Sequence, residues 1–255
     1  MVDSLRGKMK TGQNITGIMV QDFACPALVA LLADCGFDFI VIDQEHGPAS
    51  NQDLEDVVIA ARNLDLAVIV RTTKNAYEYI ARVLDMGADG VMVPHIDTVE
   101  EAKRVVDCTK YPPIGNRSHG MRHYLSKFGP VSNSAEYIQV ANENTTIFLQ
   151  AESTAFINNM DAILSDPNVD GIIVGPSDFT MSMGIIGQYE NKLFVSNIDA
   201  ILQSCKQNEK YFGIHLSKID LMEAWKNKGM NILLFSSASN LLHEKAVEIL
   251  ARLKA

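Results

Sequence analysis

Four residues of this chain stand out as able to do chemistry: His46, Arg71, Glu152 and Asp178. Glu152 and Asp178 each follow a short apolar run, Thr146–Ala151 and Gly171–Val174. Two carboxylates held close repel, and one is forced to keep its proton unless a cation joins them. Two such oxygen donors completed by water suit Mg²⁺ or Mn²⁺, and no histidine cluster competes as a zinc site. The plainer alternative is that each carboxylate caps the helix that follows it. Arg71 ends the run AVIVR. It either snorkels to the rim or stands as a fixed cation for a substrate carboxylate or a developing oxyanion. His46 follows Asp43, Gln44 and Glu45. Histidine is the residue type best suited to act as general acid or base near neutral pH; a histidine bonded to a backbone carbonyl is the alternative. The turn Gly175-Pro176-Ser177 offers backbone N–H groups that could cradle an anion.

The elements that must position these residues can be read from periodicity. Strands are expected at Ile15–Val20, Phe39–Asp43, Ala67–Arg71, Gly90–Pro94, Thr146–Ala151, Gly171–Val174, Tyr211–His215 and Ile232–Ser236. Several are apolar on both faces, as parallel strands covered on both sides are. Helices are expected near 24–34, 51–63, 76–86, 99–109, 134–142, from 153 to about 165, 195–208, 216–228 and from 239 onward. Thr98 and Glu101 read as a capping box. The stretch 110–133, rich in Pro and Gly, interrupts the rhythm, as functional or mobile loops do; a Gly/Met-rich loop follows 174. Eight strand–helix units in one chain of this length predict a closed (β/α)8 barrel. A doubly wound sheet would need a Gly-rich turn after its first strand, and none follows Val20. Barrel active sites lie at the C-terminal strand ends, where all of the residues above fall. So do His95, Asp97, Gln150, His215, Ser236 and Ser237.

Composition sets outer limits. The chain of 255 residues carries 22 Lys plus Arg against 31 Asp plus Glu, a net charge of −9. No basic stripe is available for broad nucleic-acid binding. No run reaches the roughly 18 apolar residues of a membrane helix, and the first residues lack a signal-peptide core. Cys25, Cys35, Cys108 and Cys205 have neither disulfide-framework nor zinc spacing, so they are expected reduced in a cytoplasmic protein.

The segments GFDFIVIDQEHGP (36–48), VLDMGADGVMVPHIDTVEEA (83–102), YPPIGNR (111–117), QAES (150–153) and VGPSDFTMSMG (174–184) together resemble the HpcH/HpaI aldolase/citrate lyase family, most closely its class II pyruvate aldolases. The resemblance spans roughly residues 4–250. It implies one barrel, 1–255, of the phosphoenolpyruvate/pyruvate type, acting as a carbon–carbon lyase. Its expected reaction splits 4-hydroxy-2-oxo acids into pyruvate and an aldehyde through a metal-stabilised pyruvate enolate, with Mg²⁺, Mn²⁺ or Co²⁺ as cofactor. Glu152 and Asp178 match the metal ligands, and Arg71 the residue that contacts the keto oxygen. His46 matches the base acting on the aldol hydroxyl, and Asp85 its dyad partner. Gln150 matches a residue at the substrate and metal-water shell, and Gly175, Pro176 and Ser177 match the turn that holds the pyruvate carboxylate. Asp43 and Glu45 match supporting residues. The resemblance also implies a homo-oligomer, trimer or hexamer, that exchanges the last helix, whose Leu241, Leu242, Val247, Leu250 and Leu253 form a broad apolar face.

No Schiff-base lysine is required, since Lys74 falls in a polar turn. His95 stands where the family usually has an apolar residue; it either reaches the site or packs only at its rim, and the rim is the expected place. The loops at 114–121 and after 235 also depart from the family pattern; they are expected to shape the aldehyde pocket. The nearest alternative is an oxaloacetate decarboxylase or acyl-CoA lyase, although CoA phosphates would call for a basic patch. A non-catalytic binding barrel would be expected to lack these four residues.

Overall fold

β1 (Ile15–Val20), β2 (Phe39–Asp43), β3 (Ala67–Arg71), β4 (Gly90–Val93), β5 (Thr146–Ala151), β6 (Gly171–Val174), β7 (Tyr211–Ile214) and β8 (Ile232–Ser237) close into a barrel in sequence order. Every pairing is parallel, including β1 with β8. This computed structural model describes residues 4–120 and 133–254. The stretch 121–132, part of the expected long excursion, lies outside the described residues.

Two apolar layers follow from strand alternation. Side chains facing the axis, among them Met19, Phe39, Ile69, Met92, Phe148, Ile173 and Leu234, fill the barrel. The alternate residues Ile18, Ile40, Val68, Val91, Leu149 and Ile172 pack outward against the helices. These are α2 (Pro26–Asp34), α3 (Asn51–Ala61), α4 (Tyr77–Asp85), α5 (Val99–Thr109), α6 (Ser134–Asn144), α7 (Thr154–Leu164), α9 (Lys192–Gln207), α10 (Ile219–Lys228) and α11 (Ala238–Leu253). Helix starts carry their sequence signals. Thr98 and Glu101 form the expected capping box, and Ser50 with Asp53 forms a second. Their side chains satisfy backbone donors that no preceding turn can reach.

Two helices were not expected. α1 (Leu5–Lys10) puts Leu5 and Met9 into the same cluster as the axis-facing residues, so it plugs the N-terminal end of the barrel. α8 (Pro176–Ser182) occupies the expected Gly/Met-rich loop, with Pro176 in its first turn. The described part of the excursion is also ordered by burial. Lys110 is fully buried and donates to the carbonyls of Asn142 and Thr145 at 2.8 and 2.7 Å. Burial pushes its ammonium down to about 7. Lys110 thereby closes the carbonyl end of α6.

Candidate active site

The site forms where strand ends deliver polar groups that the apolar layers cannot absorb. Asp43, last in β2, and Arg71, last in β3, are paired neighbours in the sheet register. Both are buried, and Arg71 Nε and Nη2 donate to Asp43 Oδ1 and Oδ2 at 2.9 and 2.6 Å. Burial alone would raise the Asp43 carboxyl. The guanidinium, with Gln21 and the His46 amide, overrides it and holds Asp43 below the usual carboxylate range. Gln21, which follows β1, donates to Asp43 Oδ2 at 3.1 Å. Arg71 therefore does not snorkel. Its remaining Nη1 lies 3.1 Å from Glu45 Oε2, and among the described residues one N–H on each terminal nitrogen stays uncommitted.

Glu152, just beyond β5, is the second anchor. Its carboxylate is buried, with Oε1 accepting from Gln150 Nε2 at 2.7 Å and Oε2 accepting from the His95 amide at 3.0 Å. Burial raises the Glu152 carboxyl above its ordinary range; the His95 amide and ring pull it down, while Glu45 and Asp178 push it further up. Asp178, half-buried in the first turn of α8, thus lies near enough for its charge to act on Glu152. Gly175 is built to this spacing. A Cβ there would stand 2.7 Å from Glu152 Oε1 and 3.0 Å from Gln150 Nε2. Gly175→Ala is therefore expected to displace the Glu152 carboxylate and weaken Mg²⁺ binding about tenfold or more, in the range of losses seen when groups that orient ligands are removed. Calorimetric titration of the full chain with Mg²⁺ measures this, and an unchanged dissociation constant would contradict it.

These groups fit a small divalent cation. The acids Glu152, Asp178 and Glu45 converge with more negative charge than Arg71 alone neutralises, and Gln150 Oε1 is buried with no hydrogen-bond partner among the described residues. Among the described residues, no three His, Cys, Asp or Glu side chains are grouped so that they could hold a metal ion. The fit is therefore to an ion that keeps several waters, as Mg²⁺ does.

The structure also redistributes some expected roles. His95 is not merely at the rim. It takes a left-handed backbone conformation (φ 56°) directly after Pro94, one of the few residue types that does so readily. That turn aims both its amide and its ring at Glu152: Nδ1 lies 2.9 Å from Glu152 Oε2, and Nε2 lies 3.2 Å from Glu45 Oε1. His46 has an exposed ring, with its amide donating to Asp43 Oδ1 at 3.2 Å and Nε2 4.0 Å from Glu45. Asp85 is not beside it. Asp85 ends α4, at the N-terminal end of the barrel, whereas His46 follows β2 at the opposite end. Asp85 instead accepts from Arg117 at 2.6 Å, and Arg117 stacks over the Tyr111 ring.

The anion turn is narrower than expected. The Gly175 amide is taken by the Ala151 carbonyl and Pro176 has no N–H, so Ser177 and Asp178 carry the free donors of the first turn. The Ser177 hydroxyl is exposed and lies 3.3 Å from Tyr189 Oη. His215, a strand-end residue by sequence, lies half-buried beyond β7. Burial holds it below the usual imidazole range, and its Nε2 lies 3.1 Å from the Ser236 carbonyl. Lys74 is exposed, as expected.

A parallel eight-stranded barrel with buried Asp, Glu and Arg at its C-terminal end is a (β/α)8 barrel with a charged site at the end where enzymes of this fold act. The HpcH/HpaI aldolase/citrate lyase family model matches residues 21–243. A 5-keto-4-deoxy-D-glucarate aldolase from Salmonella arizonae is 36% identical over 191 residues, covering 75% of this chain and 73% of that protein. The crystal structure of an HpcH/HpaI aldolase from Desulfitobacterium hafniense superposes with a TM-score of 0.93 at 28% identity, covering 98% of this chain and 96% of the other. The citrate synthase SbnG superposes with a TM-score of 0.88 at 25% identity, over 98% and 97%. The chain belongs to the HpcH/HpaI aldolase/citrate lyase family, and it is a carbon–carbon lyase of that family.

Proposed function

We propose that this lyase cleaves 4-hydroxy-2-oxo acids to pyruvate and an aldehyde, and joins them in reverse, using a divalent cation held by Glu152 and Asp178. The observation that carries the reading is the buried Glu152 carboxyl, destabilised as an anion by burial, Glu45 and Asp178, next to a Gln150 Oε1 that has no partner among the described residues. Such an arrangement is costly unless a cation shares it. Bound there, the ion supplies Lewis-acid polarisation of the keto group and a fixed seat for the 2-oxo acid.

The protein's own groups account for the rest. The Ser177 and Asp178 amides face the substrate carboxylate. The exposed His46 ring takes the C4 hydroxyl proton. The C4–O electrons then form the aldehyde carbonyl, and the C3–C4 pair moves onto the pyruvate fragment. Negative charge grows on the former keto oxygen, where the uncommitted Arg71 N–H bonds meet it. Asp43 keeps that guanidinium oriented, and protonation at C3 completes pyruvate.

The test is to incubate metal-supplemented protein with a panel of 4-hydroxy-2-oxo acids and with oxaloacetate, following pyruvate. Absence of pyruvate with Mg²⁺, Mn²⁺ and Co²⁺ alike would refute the reading. Oxaloacetate loses CO₂ with no hydroxyl to deprotonate. His46→Ala is thus expected to lower aldol cleavage about 100-fold or more while lowering decarboxylation far less. Equal losses in kcat would remove the base role from His46.

An oligomer belongs to the same reading. Helix α11 buries none of its residues in one chain, leaving Leu242, Val247, Leu250 and Leu253 exposed. A second copy is the proposed cover, in a trimer or hexamer. Because Asp85 and His46 lie at opposite ends of one barrel, the proposed dyad forms only between copies. A monomer in sedimentation velocity at full activity would exclude both. The four cysteines are unpaired, which favours a reducing compartment such as the cytoplasm; recovery of the protein from an oxidising compartment with paired cysteines would reverse that placement.

A further inference from the structure

We propose that His215 selects the substrate at C3, and that the enzyme takes 2-oxo acids carrying a hydroxyl on C3 as well as pyruvate. The inference rests on the reading that the 2-oxo acid lies between Ser177, Asp178, Glu152 and Arg71. Axis-facing side chains of such a barrel form layers of four, drawn from alternate strands. Met19, Ile69, Phe148 and Tyr211 belong to the axial cluster. Arg71, Gln150 and His215 stand an even number of residues further along β3, β5 and β7, so alternation turns them to the axis as well. The His215 amide still bonds the Val174 carbonyl, which keeps it in the sheet pattern just beyond β7. The register followed from β3 round to β1 places Arg71, Gln150, His215 and Met19 in one layer. Strand β7 lies opposite β3 in the closed barrel, so His215 stands across the axis from Arg71. The charges of Arg71 and Asp43 both act on its ring.

C2 of a 2-oxo acid has three substituents in one plane. The carboxylate meets the Ser177 and Asp178 amides after β6, and the keto oxygen turns toward Arg71 on β3. The third substituent, C3, is left facing β7, β8 and β1, and the chain beyond it continues to His46 after β2. The lining on that side is polar. His215 Nε2 lies 3.1 Å from the Ser236 carbonyl, which only accepts, so Nε2 carries the proton. In the neutral ring Nδ1 then bears a lone pair, with no hydrogen-bond partner among the described residues. Ser236 sits in a left-handed turn (φ 51°), and its Oγ is buried and likewise without a partner among them. The methyl of pyruvate offers Nδ1 nothing, whereas a C3 hydroxyl donates to it. Addition with such a donor balances. C3 loses a proton to solvent, and the electron pair left behind forms the C3–C4 bond to the aldehyde carbon. The aldehyde oxygen takes a proton from His46, giving a 3,4-dihydroxy-2-oxo acid with nothing else released.

The full-length, metal-supplemented protein is given pyruvate or hydroxypyruvate with a panel of short aldehydes, and kcat/KM for each donor is read from product formation. The parent is expected to add both donors. In His215→Leu the hydroxypyruvate-to-pyruvate ratio of kcat/KM falls about 10- to 100-fold, the scale of losing one hydrogen bond to a substrate hydroxyl in a secluded site. His215→Gln recovers part of the ratio, because its amide nitrogen serves the Ser236 carbonyl and its oxygen accepts from the substrate. A merely structural role for His215 lowers both donors by one common factor. That result, or a parent that adds pyruvate and refuses hydroxypyruvate, would overturn the proposal. The parent measurement needs no variant, so a misfolded His215→Leu does not protect the idea. Pyruvate release from 4-hydroxy-2-oxo acids separates the two levels. If it occurs while hydroxypyruvate is refused, only the selection at C3 fails; if it is absent and neither donor is added, the underlying reading fails and this inference with it.

Discussion

Glu152→Gln is expected to lower metal-dependent pyruvate release about a thousandfold. That factor corresponds to roughly 4 kcal/mol, within the several kcal/mol a Lewis acid contributes to a developing oxyanion. The variant should not be less stable in the metal-free state. The Glu152 carboxyl is raised above its ordinary value by burial first and by Glu45 and Asp178. The folded state then binds more protons than the unfolded one between the ordinary carboxyl value and the raised one, so stability falls as pH rises through that window. Glutamine removes that fall, and metal-free Tm above the window should equal or exceed the parent's. Added Mg²⁺ should raise the parent's Tm by mass action and leave the variant's unchanged. Calorimetry with and without chelator distinguishes this from mere unfolding. A variant that keeps full metal-dependent turnover would take Glu152 out of the ligand set.

The barrel itself was legible because its strands carry unambiguous patterns. Runs such as FIVID and AVIVR are apolar on both faces and end in a single charged residue, so strand and active-site end were readable together. The expected starts of all eight strands match the observed ones, and ends differ by a residue at most. Two helices escaped for physical reasons. α1 buries only Leu5 and Met9 in a charged segment, and α8 is too short to develop periodicity. Pro176 at its first position was the available signal.

The site was legible in its composition but not in its contacts. Position at strand ends located Asp43, Arg71, Glu152 and Asp178 without any fold in hand, and the same rule would have found Gln21. It could not rank two readings of Arg71, since snorkelling and clamping differ only in whether a buried carboxylate waits beside it; Asp43 does. It misplaced His95, because whether a residue after β4 faces outward or inward depends on one left-handed turn. Asp85 shows the opposite limit. A helix end reads as surface in one chain, and only the topology reveals that it cannot reach His46 without a second copy.

Arg71→Lys keeps the charge and removes the fork, so it tests whether geometry at this position matters. A lysine cannot engage both Asp43 oxygens while pointing a further donor at the substrate. The expected loss in kcat is roughly 100-fold, comparable to removing one oxyanion donor, with a smaller change in KM because the proposed seat for the substrate carboxylate is elsewhere. Stability should fall by about 2 kcal/mol as a buried bidentate pair becomes a single contact. The pH dependence should move with it. In the parent, Asp43 is held below the usual carboxylate range, burial notwithstanding, by Arg71. Its contribution is therefore present above the unfolded value near 3.9 and is lost as pH falls through the depressed folded value. With Arg71→Lys the depression shrinks, so acid unfolding should begin at higher pH than in the parent. Circular dichroism across an acid titration measures that midpoint. An unchanged midpoint together with unchanged kcat would mean that the Asp43–Arg71 pair neither stabilises the barrel nor orients the cation that meets the developing charge.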